Sequence, residues 1–470
     1  MAYAWAPPTA ISTMHSTDTP TPAPVPKPVS LPEAIEFVIR CLKYGEFEEG
    51  EEVCRKILAV APDHPDALHY AGVCAHENGR TDEALALIER SLVCAPDQAD
   101  WHSNLGVVRQ ASGDLEGAIA SYERAIALKP SHARAHGNLG VLLKVRGDLE
   151  GAEAAYRRSI DLDAKHADAY HNLAVVLSAT NRSVEAVTAF CRALTLKPHY
   201  PEARRALALA YCTLGQFDRA VQVCEEWLKD EPESSVAIHT LAACSGRDVP
   251  LRASDDYVQK VFDSFASSFE AKLARLNYRA PELVIEALAQ VGIAQNHALD
   301  ILDMGCGTGL CGPLLAPYAR SLVGVDLSVG MLKHAVEKGV YDELIQAELT
   351  EYLGRHRGAF DVIVTADTLV YFGALEAVAA ASAGALRPGG LLVFTVEEEV
   401  DADLAQSYRI RPHGRYTHGA EYVRRLLVNV GLRPQIGNAD LRMEAGLPVA
   451  GLVVCGVKPG ERAAKGEHHG

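Results

Sequence analysis

The residues best suited to chemistry stand in one string, Leu299-Asp300-Ile301-Leu302-Asp303-Met304-Gly305-Cys306-Gly307-Thr308-Gly309. An apolar run followed by glycines at every second place predicts a strand, a tight turn and then a helix over about 310–318, with the backbone free to approach a ligand closely. A dinucleotide fingerprint needs its third glycine one place later, where Leu310 stands, together with a pyrophosphate at the helix N-terminus. Asp303, two places before the first glycine, instead suits a cationic or zwitterionic ligand. A second concentration of reactive side chains lies at 408–419, YRIRPHGRYTHG. Read as a long loop over a reaction pocket, it offers His418 as general base, with Tyr416 and His413 as further catalytic candidates, since an unshifted histidine titrates near neutrality. Arg411 or Arg415 would then hold a carboxylate or phosphate. The plainer reading of the same loop packs Tyr and His as an ordinary cap and pairs its arginines with Glu397, Glu398 and Glu399. Eleven cysteines, with no C-x-x-C pair and no His pair at ligand spacing, point to reduced thiols and to no metal site.

The elements that must position these residues follow in order. A second strand, 321–326, ends in Asp326; a third, 344–348, ends in Glu348; a fourth, 360–367, ends in Asp367; and Arg387-Pro388-Gly389-Gly390 turns into a fifth at 391–396. Two closing strands are expected around 433–443 and 450–457. Alternating short apolar runs and amphipathic helices are the signature of a doubly wound α/β domain. With D-x-S-x-x-M-L-x-x-A represented by Asp326, Ser328, Met331, Leu332 and Ala335, the segment 254–458 resembles the class I S-adenosylmethionine-dependent methyltransferases. The resemblance implies a Rossmann-like, seven-stranded α/β fold and S-adenosyl-L-methionine as cofactor. It implies cofactor contacts from Asp303, Gly305, Cys306, Gly307, Thr308, Gly309, Asp326, Leu327, Met331, Glu348, Leu349 and Asp367. Asp326 would accept the ribose hydroxyls and Glu348 would lie near the adenine amine. The aromatics Phe262, Phe265, Phe269 and Tyr278 resemble the lid ahead of the first strand in that family, and packing of one helix face explains the three phenylalanines equally well. Ala366-Asp367-Thr368-Leu369 replaces the Asn/Asp-Pro-Pro-aromatic run of amino-methylating DNA enzymes, which argues against a nucleobase acceptor.

Upstream, Pro62, Pro96, Pro130, Pro198 and Pro232 share a strict 34-residue grid, with Ala164 in the missing place. Gly45, Gly79, Gly113, Gly147, Asn181 and Gly215 form a second grid, and Ala84, Ala118, Ala152, Ala186 and Ala220 a third. A left-handed residue ending one helix, a small residue at the crossing and a proline closing the next helix describe a repeated helical hairpin. Leu105-Gly106, Leu139-Gly140, and the pairs Ala118/Tyr122, Ala152/Tyr156 and Ala186/Phe190 make 31–234 resemble six tetratricopeptide repeats. The fold expected is therefore an α-solenoid, a tetratricopeptide superhelix, followed by the α/β domain. Asn104, Asn138 and Asn172 recur at one position of three successive repeats. The resemblance implies an amide ladder that holds an extended peptide or protein segment in the concave groove; hydrogen bonding within the stack serves those amides equally well.

Composition sets the frame. The chain has 470 residues, 48% apolar and 23% charged, and 45 Lys plus Arg against 61 Asp plus Glu give a net charge of −16. Such a chain lacks the basic footprint of nucleic-acid binding and of anionic membrane surfaces. A Pro/Thr-rich leader (1–30) and a tail (459–470) are expected to be disordered, and 235–253 reads as a capping helix and linker. No signal peptide or anchor is expected, which gives a cytoplasmic protein. The reading that follows is a methyltransferase acting on an O or N acceptor of a peptide or protein recruited by the repeats. The alternatives are a small-molecule methyltransferase whose repeats dock a partner, and a repeat scaffold with a degenerate methyltransferase fold.

Overall fold

A computed structural model describes residues 30–401, 407–444 and 446–460. The expected leader, apart from Ser30, and the tail beyond Gly460 lie outside the described residues. The chain divides into two compact units, with the boundary between Val176 and Leu177.

The first unit is built of helical hairpins: α1 (Leu31–Tyr44), α2 (Phe47–Val60), α3 (Pro65–Glu77), α4 (Thr81–Cys94), α5 (Ala99–Ala111), α6 (Leu115–Leu128), α7 (Ala133–Arg146), α8 (Leu149–Leu162) and the start of α9 (Ala167–Ala179). The grids have visible causes. Gly147 closes α7 at φ +91°, donating to the Leu143 and Lys144 carbonyls, a conformation that costs other residues steric strain. Asp114 and Asp148 cap the next helices, each accepting at 2.9 Å from the backbone N–H three residues on, which satisfies otherwise unpaired donors. A Cβ at Gly106 would stand 2.6 Å from the Tyr122 ring, so the glycine of the L-G pair exists to admit the aromatic of the same repeat. Ala118 and Ala152 are fully buried at the crossings.

The second unit opens with α10 (Ser183–Leu196), α11 (Pro201–Thr213), α12 (Phe217–Asp230) and α13 (Ser235–Ser245), the last closed by Gly246 at φ +65°. Then come α14 (Asp255–Asp263), α15 (Phe269–Arg275) and α16 (Ala280–Gln290), followed by β1 (Leu299–Met304), α17 (Gly312–Leu315), β2 (Ala319–Asp326), α18 (Val329–Glu337), β3 (Glu343–Gln346), α19 (Leu349–Arg355), β4 (Phe360–Thr365), α20 (Glu376–Ala385) and β5 (Leu386–Glu398). The chain ends with β6 (Tyr408–Ile410), β7 (Tyr416–His418), α21 (Ala420–Asn429), β8 (Arg433–Glu444) and β9 (Leu447–Val457). Strands β3-β2-β1-β4-β5 run parallel in that order, and β9 adds antiparallel to β5 and pairs with β8. Two apolar clusters cover the sheet, one centred on Leu302, Ile363 and Phe394 and the other on Ile301, Val364 and Val393; alternate residues of the same strands supply them. The order reverses at β1, so the crevice beyond the carboxyl ends of β1 and β4 is where such a sheet binds ligands.

Two local expectations are corrected. The segment 408–419 is a β-hairpin, β6 with β7, whose second strand pairs Glu397↔Thr417 and Glu398↔His418 with β5, so the sheet has nine strands rather than seven. The helix expected over 310–318 shrinks to Gly312–Leu315, because Pro313 and Pro317 allow only one turn between them. The stretch after α13 is bonded to the sheet's own loops: Ala253 N–H donates to the Tyr371 carbonyl at 2.8 Å, and the Gly373 and Ala374 N–H groups donate to Leu251.

Candidate functional site

At the carboxyl ends of β1, β2 and β4 lies a cavity of about 390 Å³, within the range of small-molecule sites. Its floor is the turn after β1. Gly305 (φ +75°) and Gly309 (φ +82°) are left-handed, and a Cβ at Gly305 would stand 2.4 Å from the Thr368 side chain. The Gly305 and Cys306 N–H groups donate to the Val325 carbonyl at 2.7 and 3.1 Å, tying the turn to β2. Asp326, ending β2, accepts from Gly307 N–H at 2.9 Å with one oxygen and from Ser328 N–H at 2.8 Å with the other. Burial raises its pKa, opposed by those backbone bonds. Its carboxylate is thus aimed before any ligand arrives, with lone pairs left for two hydroxyls.

Asp303 is almost fully buried and accepts from the Tyr341 hydroxyl at 2.6 Å; burial pushes its pKa up to about 7, against the pull of that bond. Glu348 caps α19 through Glu351 N–H at 2.7 Å. Its buried Oε1 makes no hydrogen bond, and Arg252 Nη2 stands 3.9 Å away. All the residues expected to hold the cofactor line this cavity except Gly309, whose part is to shape the turn against Tyr341.

The aromatic segment forms one wall. Phe262 stands edge-on to Tyr371 at 5.3 Å, and Phe265 and Phe269 lie 5.4 and 6.1 Å from Phe262. Asp263, at the end of α14, accepts from Ser328 Oγ at 2.5 Å and from Gly330 N–H at 3.0 Å, which fastens this wall to the start of α18.

The three catalytic candidates are not brought together. His418 is fully buried outside the cavity lining, its Nε2 on the Gly373 carbonyl at 3.1 Å, and burial lowers its pKa to about 4. Tyr416, also fully buried away from the cavity, donates to the Pro250 carbonyl at 2.8 Å. Both sit in β7, where pairing with β5 commits them to packing. His413 does line the cavity, but Nδ1 accepts Arg415 N–H at 3.2 Å, which leaves the proton of the neutral ring on Nε2, 3.6 Å from Glu397. Neither nitrogen is open to a substrate proton. The loop arginines are likewise engaged: Arg411 with Glu399 at 2.8 Å, Arg409 with Asp401 at 3.0 Å, and Arg415 with Glu397 and Glu444.

Asp367 also lines the cavity and, like Glu348, keeps one oxygen unbonded. It sits at φ +57°, its N–H donates to Thr395 Oγ1 at 2.9 Å, and Oδ2 accepts from Arg442 at 2.9 Å. Oδ1 is buried without a hydrogen bond, and burial, opposed chiefly by Arg442, raises the pKa to about 6. Sequence reasoning missed Arg442, almost wholly buried and also paired with Glu397 and Glu444. Its signal was a pair of opposite charges two apart, Arg442 and Glu444, which a strand puts on one face. Arg205 of α11 and Lys272 of α15 also line the cavity and were missed; no local pattern marks an arginine inside a repeat as part of a distant pocket.

In the first unit the expected amide ladder is engaged within the stack. Asn104 Nδ2 lies 3.1 Å from His69 Nε2 of the preceding repeat, Asn172 Oδ1 accepts from Lys144 at 2.9 Å, and Asn138 faces the Tyr122 phenol, which burial pushes up to about 12.

Residues 302–394 match the methyltransferase domain family, and 42–105, 104–167, 155–188 and 179–243 match tetratricopeptide repeat families. The chain carries tetratricopeptide repeats and a methyltransferase domain. The domain is 36% identical over 144 residues to methyltransferase-like protein 27 of Homo sapiens, covering 30% of this chain and 58% of that protein. It is 34% identical over 133 residues to the ubiquinone biosynthesis O-methyltransferase of Thiobacillus denitrificans, covering 27% and 53%. The chain thus spans just over half the length of these two relatives. Among solved structures, one titled for Pseudomonas aeruginosa pilF is 18% identical, with TM-score 0.41, covering 44% of this chain and 95% of that one. Among the described residues no helix is long and apolar enough to cross a membrane.

Proposed function

We propose that the methyltransferase domain is S-adenosylmethionine-dependent and transfers a methyl group to an O or N acceptor that enters the cavity beside Asp367. The observation that carries this is the Asp326 carboxylate, held by two backbone N–H groups above a left-handed glycine turn. The buried, unbonded Glu348 Oε1 and Asp367 Oδ1 on the same cavity fit the cofactor's amine and the acceptor's proton. In this reading Asp326 holds the ribose hydroxyls, Glu348 the adenine amine and Asp303 the side of the ammonium. When bound, the cofactor supplies an electrophilic methyl on a sulfonium. The chain's own residues align the acceptor, exclude water through the Phe262, Phe265 and Phe269 wall, and remove one proton, which the Asp367 carboxylate takes from the acceptor oxygen or nitrogen.

The repeats favour an acceptor on a peptide or protein, because such arrays present extended binding surfaces. A second reading, a small-molecule acceptor, is favoured by the engaged amides at Asn104 and Asn172, and by the O-methyltransferase name of one relative. Calorimetry with S-adenosylmethionine on the intact protein and on Asp326→Ala tests the core of the proposal. Loss of two charged hydrogen bonds predicts affinity weaker by about thirtyfold or more in the variant. Absence of binding to the folded parent overturns the reading. Methyl-labelled cofactor in a lysate then separates the acceptors: label on macromolecules supports the first reading, and label in the small-molecule filtrate the second.

A further inference from the structure

Five cations line the cavity, and three of them are spoken for. Arg252 pairs with Asp255 and Glu348, Arg415 with Glu397 and Glu444, and Arg442 with Asp367, Glu397 and Glu444. The other two, Arg205 and Lys272, form no ion pair among the described residues. They come from different parts of the chain, α11 within the repeats and α15 ahead of the sheet, yet both line the same cavity and the Arg205 charge reaches Lys272. Lys272 lies 4.5 Å over the Phe265 ring. Burial lowers its pKa, and the Arg205 and Arg275 charges lower it further. The Arg205 charge also acts on the buried Tyr257 phenol, opposing the rise that burial causes in its pKa. Both side chains are still exposed, with no carboxylate competing for them, so an anion entering the cavity is attracted to two charges at once.

We propose that the methyl acceptor carries an anionic oxygen group, carboxylate or phosphate, held between Arg205 and Lys272, and that α11 of the repeat region is thereby a specificity element of the methyltransferase site. The inference rests on the function proposed above and places the anion-binding role, expected of Arg411 or Arg415, on two cations that are not neutralised. Phe262 and Tyr371 flank the site, so an aromatic body bearing the anion matches its lining.

The test titrates benzoate, phenyl phosphate and the neutral isostere benzamide into the intact protein, and S-adenosylhomocysteine in parallel. At least one anion is expected to bind about tenfold or more tightly than benzamide. That preference should fall to near unity in Arg205→Gln and in Lys272→Gln while S-adenosylhomocysteine affinity stays unchanged. Comparing benzoate with phenyl phosphate assigns the anion. Equal binding of anions and benzamide overturns the inference, as does an anion preference that survives both substitutions. Loss of S-adenosylhomocysteine affinity in Arg205→Gln would place that residue on the cofactor instead and also overturn it. If the parent fails to bind S-adenosylhomocysteine yet keeps the anion preference, the methyl-transfer reading fails and the anion site stands.

Discussion

At the scale of single residues, the site turns on what burial does to carboxylates. Asp367 is held in the left-handed region, anchored by one oxygen to Arg442 and open at the other, with a pKa raised to about 6. A base works in its ionised form, so with the folded-enzyme pKa near 6 the catalytic rate is expected to fall as pH drops below about 6 and to level off above it. Asp367→Asn, which tolerates the same backbone conformation, should lower kcat by about 10²–10⁴ and leave S-adenosylhomocysteine affinity within a few-fold. The measurement is a single-turnover pH profile of both proteins beside a calorimetric titration. A collapse of cofactor affinity in Asp367→Asn would return the residue to the cofactor-holding part that its sequence position implied. The histidines show why residue type alone misled. His418 had the right chemistry in the right segment, but its place in β7 buries the ring against Gly373 and lowers its pKa to about 4, removing both the access and the basicity the role requires.

At the scale of elements, the parallel strands were legible because they are short apolar runs closed by an acid or a glycine, with β1, β4 and β5 buried on both faces. The hairpin β6–β7 was not, because Tyr-Arg-Ile and Tyr-Thr-His are three-residue runs, too short to stand out by pattern, and β7 is fixed by pairing with β5 across the fold. The glycine turn was legible for a reason that can be tested. Gly305→Ala must place a methyl 2.4 Å from Thr368 at φ +75°, whereas Gly339→Ala meets the same backbone demand at φ +65° with nothing within 4 Å. The exposed site should cost about 1–2 kcal/mol, the intrinsic price of a left-handed residue. The buried one should cost more, about 2–4 kcal/mol, because the Thr368 contact adds to the strain. Only Gly305→Ala should also abolish cofactor binding. Urea unfolding of the two variants, with a cofactor titration, separates strain from site geometry. Equal penalties and retained binding in both would mean that the turn relaxes around the methyl.

At the scale of the whole molecule, the sequence suggests a cut near residue 254, between repeats and catalytic domain, while the contacts of the second unit run across that position. His239 of α13 donates from Nε2 to the Gly414 carbonyl at 2.8 Å and lies 4.0 Å from the Tyr257 ring, Tyr416 reaches Pro250, and Ala243 packs with Ile410 and Tyr416. Arg252 bridges to Phe372, beside the Leu251 and Ala253 hydrogen bonds. Periodicity could not show this, because a repeat pattern reports contacts between neighbouring repeats and is silent about what the last one meets. A fragment starting at residue 254 would expose Tyr257, Ile410 and Tyr416 and leave the Gly414 and Tyr371 carbonyls without their partners. Burial of each large apolar side chain contributes about 1.5–3 kcal/mol and each hydrogen bond about 1 kcal/mol, so losing several of them is comparable to the whole stability of a domain, about 5–15 kcal/mol. A fragment starting at residue 181 keeps α10 to α13 and is expected to unfold cooperatively and to bind S-adenosylhomocysteine like the intact chain. The 254 fragment is expected to be unstable or aggregated and not to bind. Thermal unfolding with cofactor titration of the two fragments decides it: if the 254 fragment is as stable as the 181 fragment, α11 to α13 are passengers on the catalytic domain; if it is not, the last repeats are part of the enzyme.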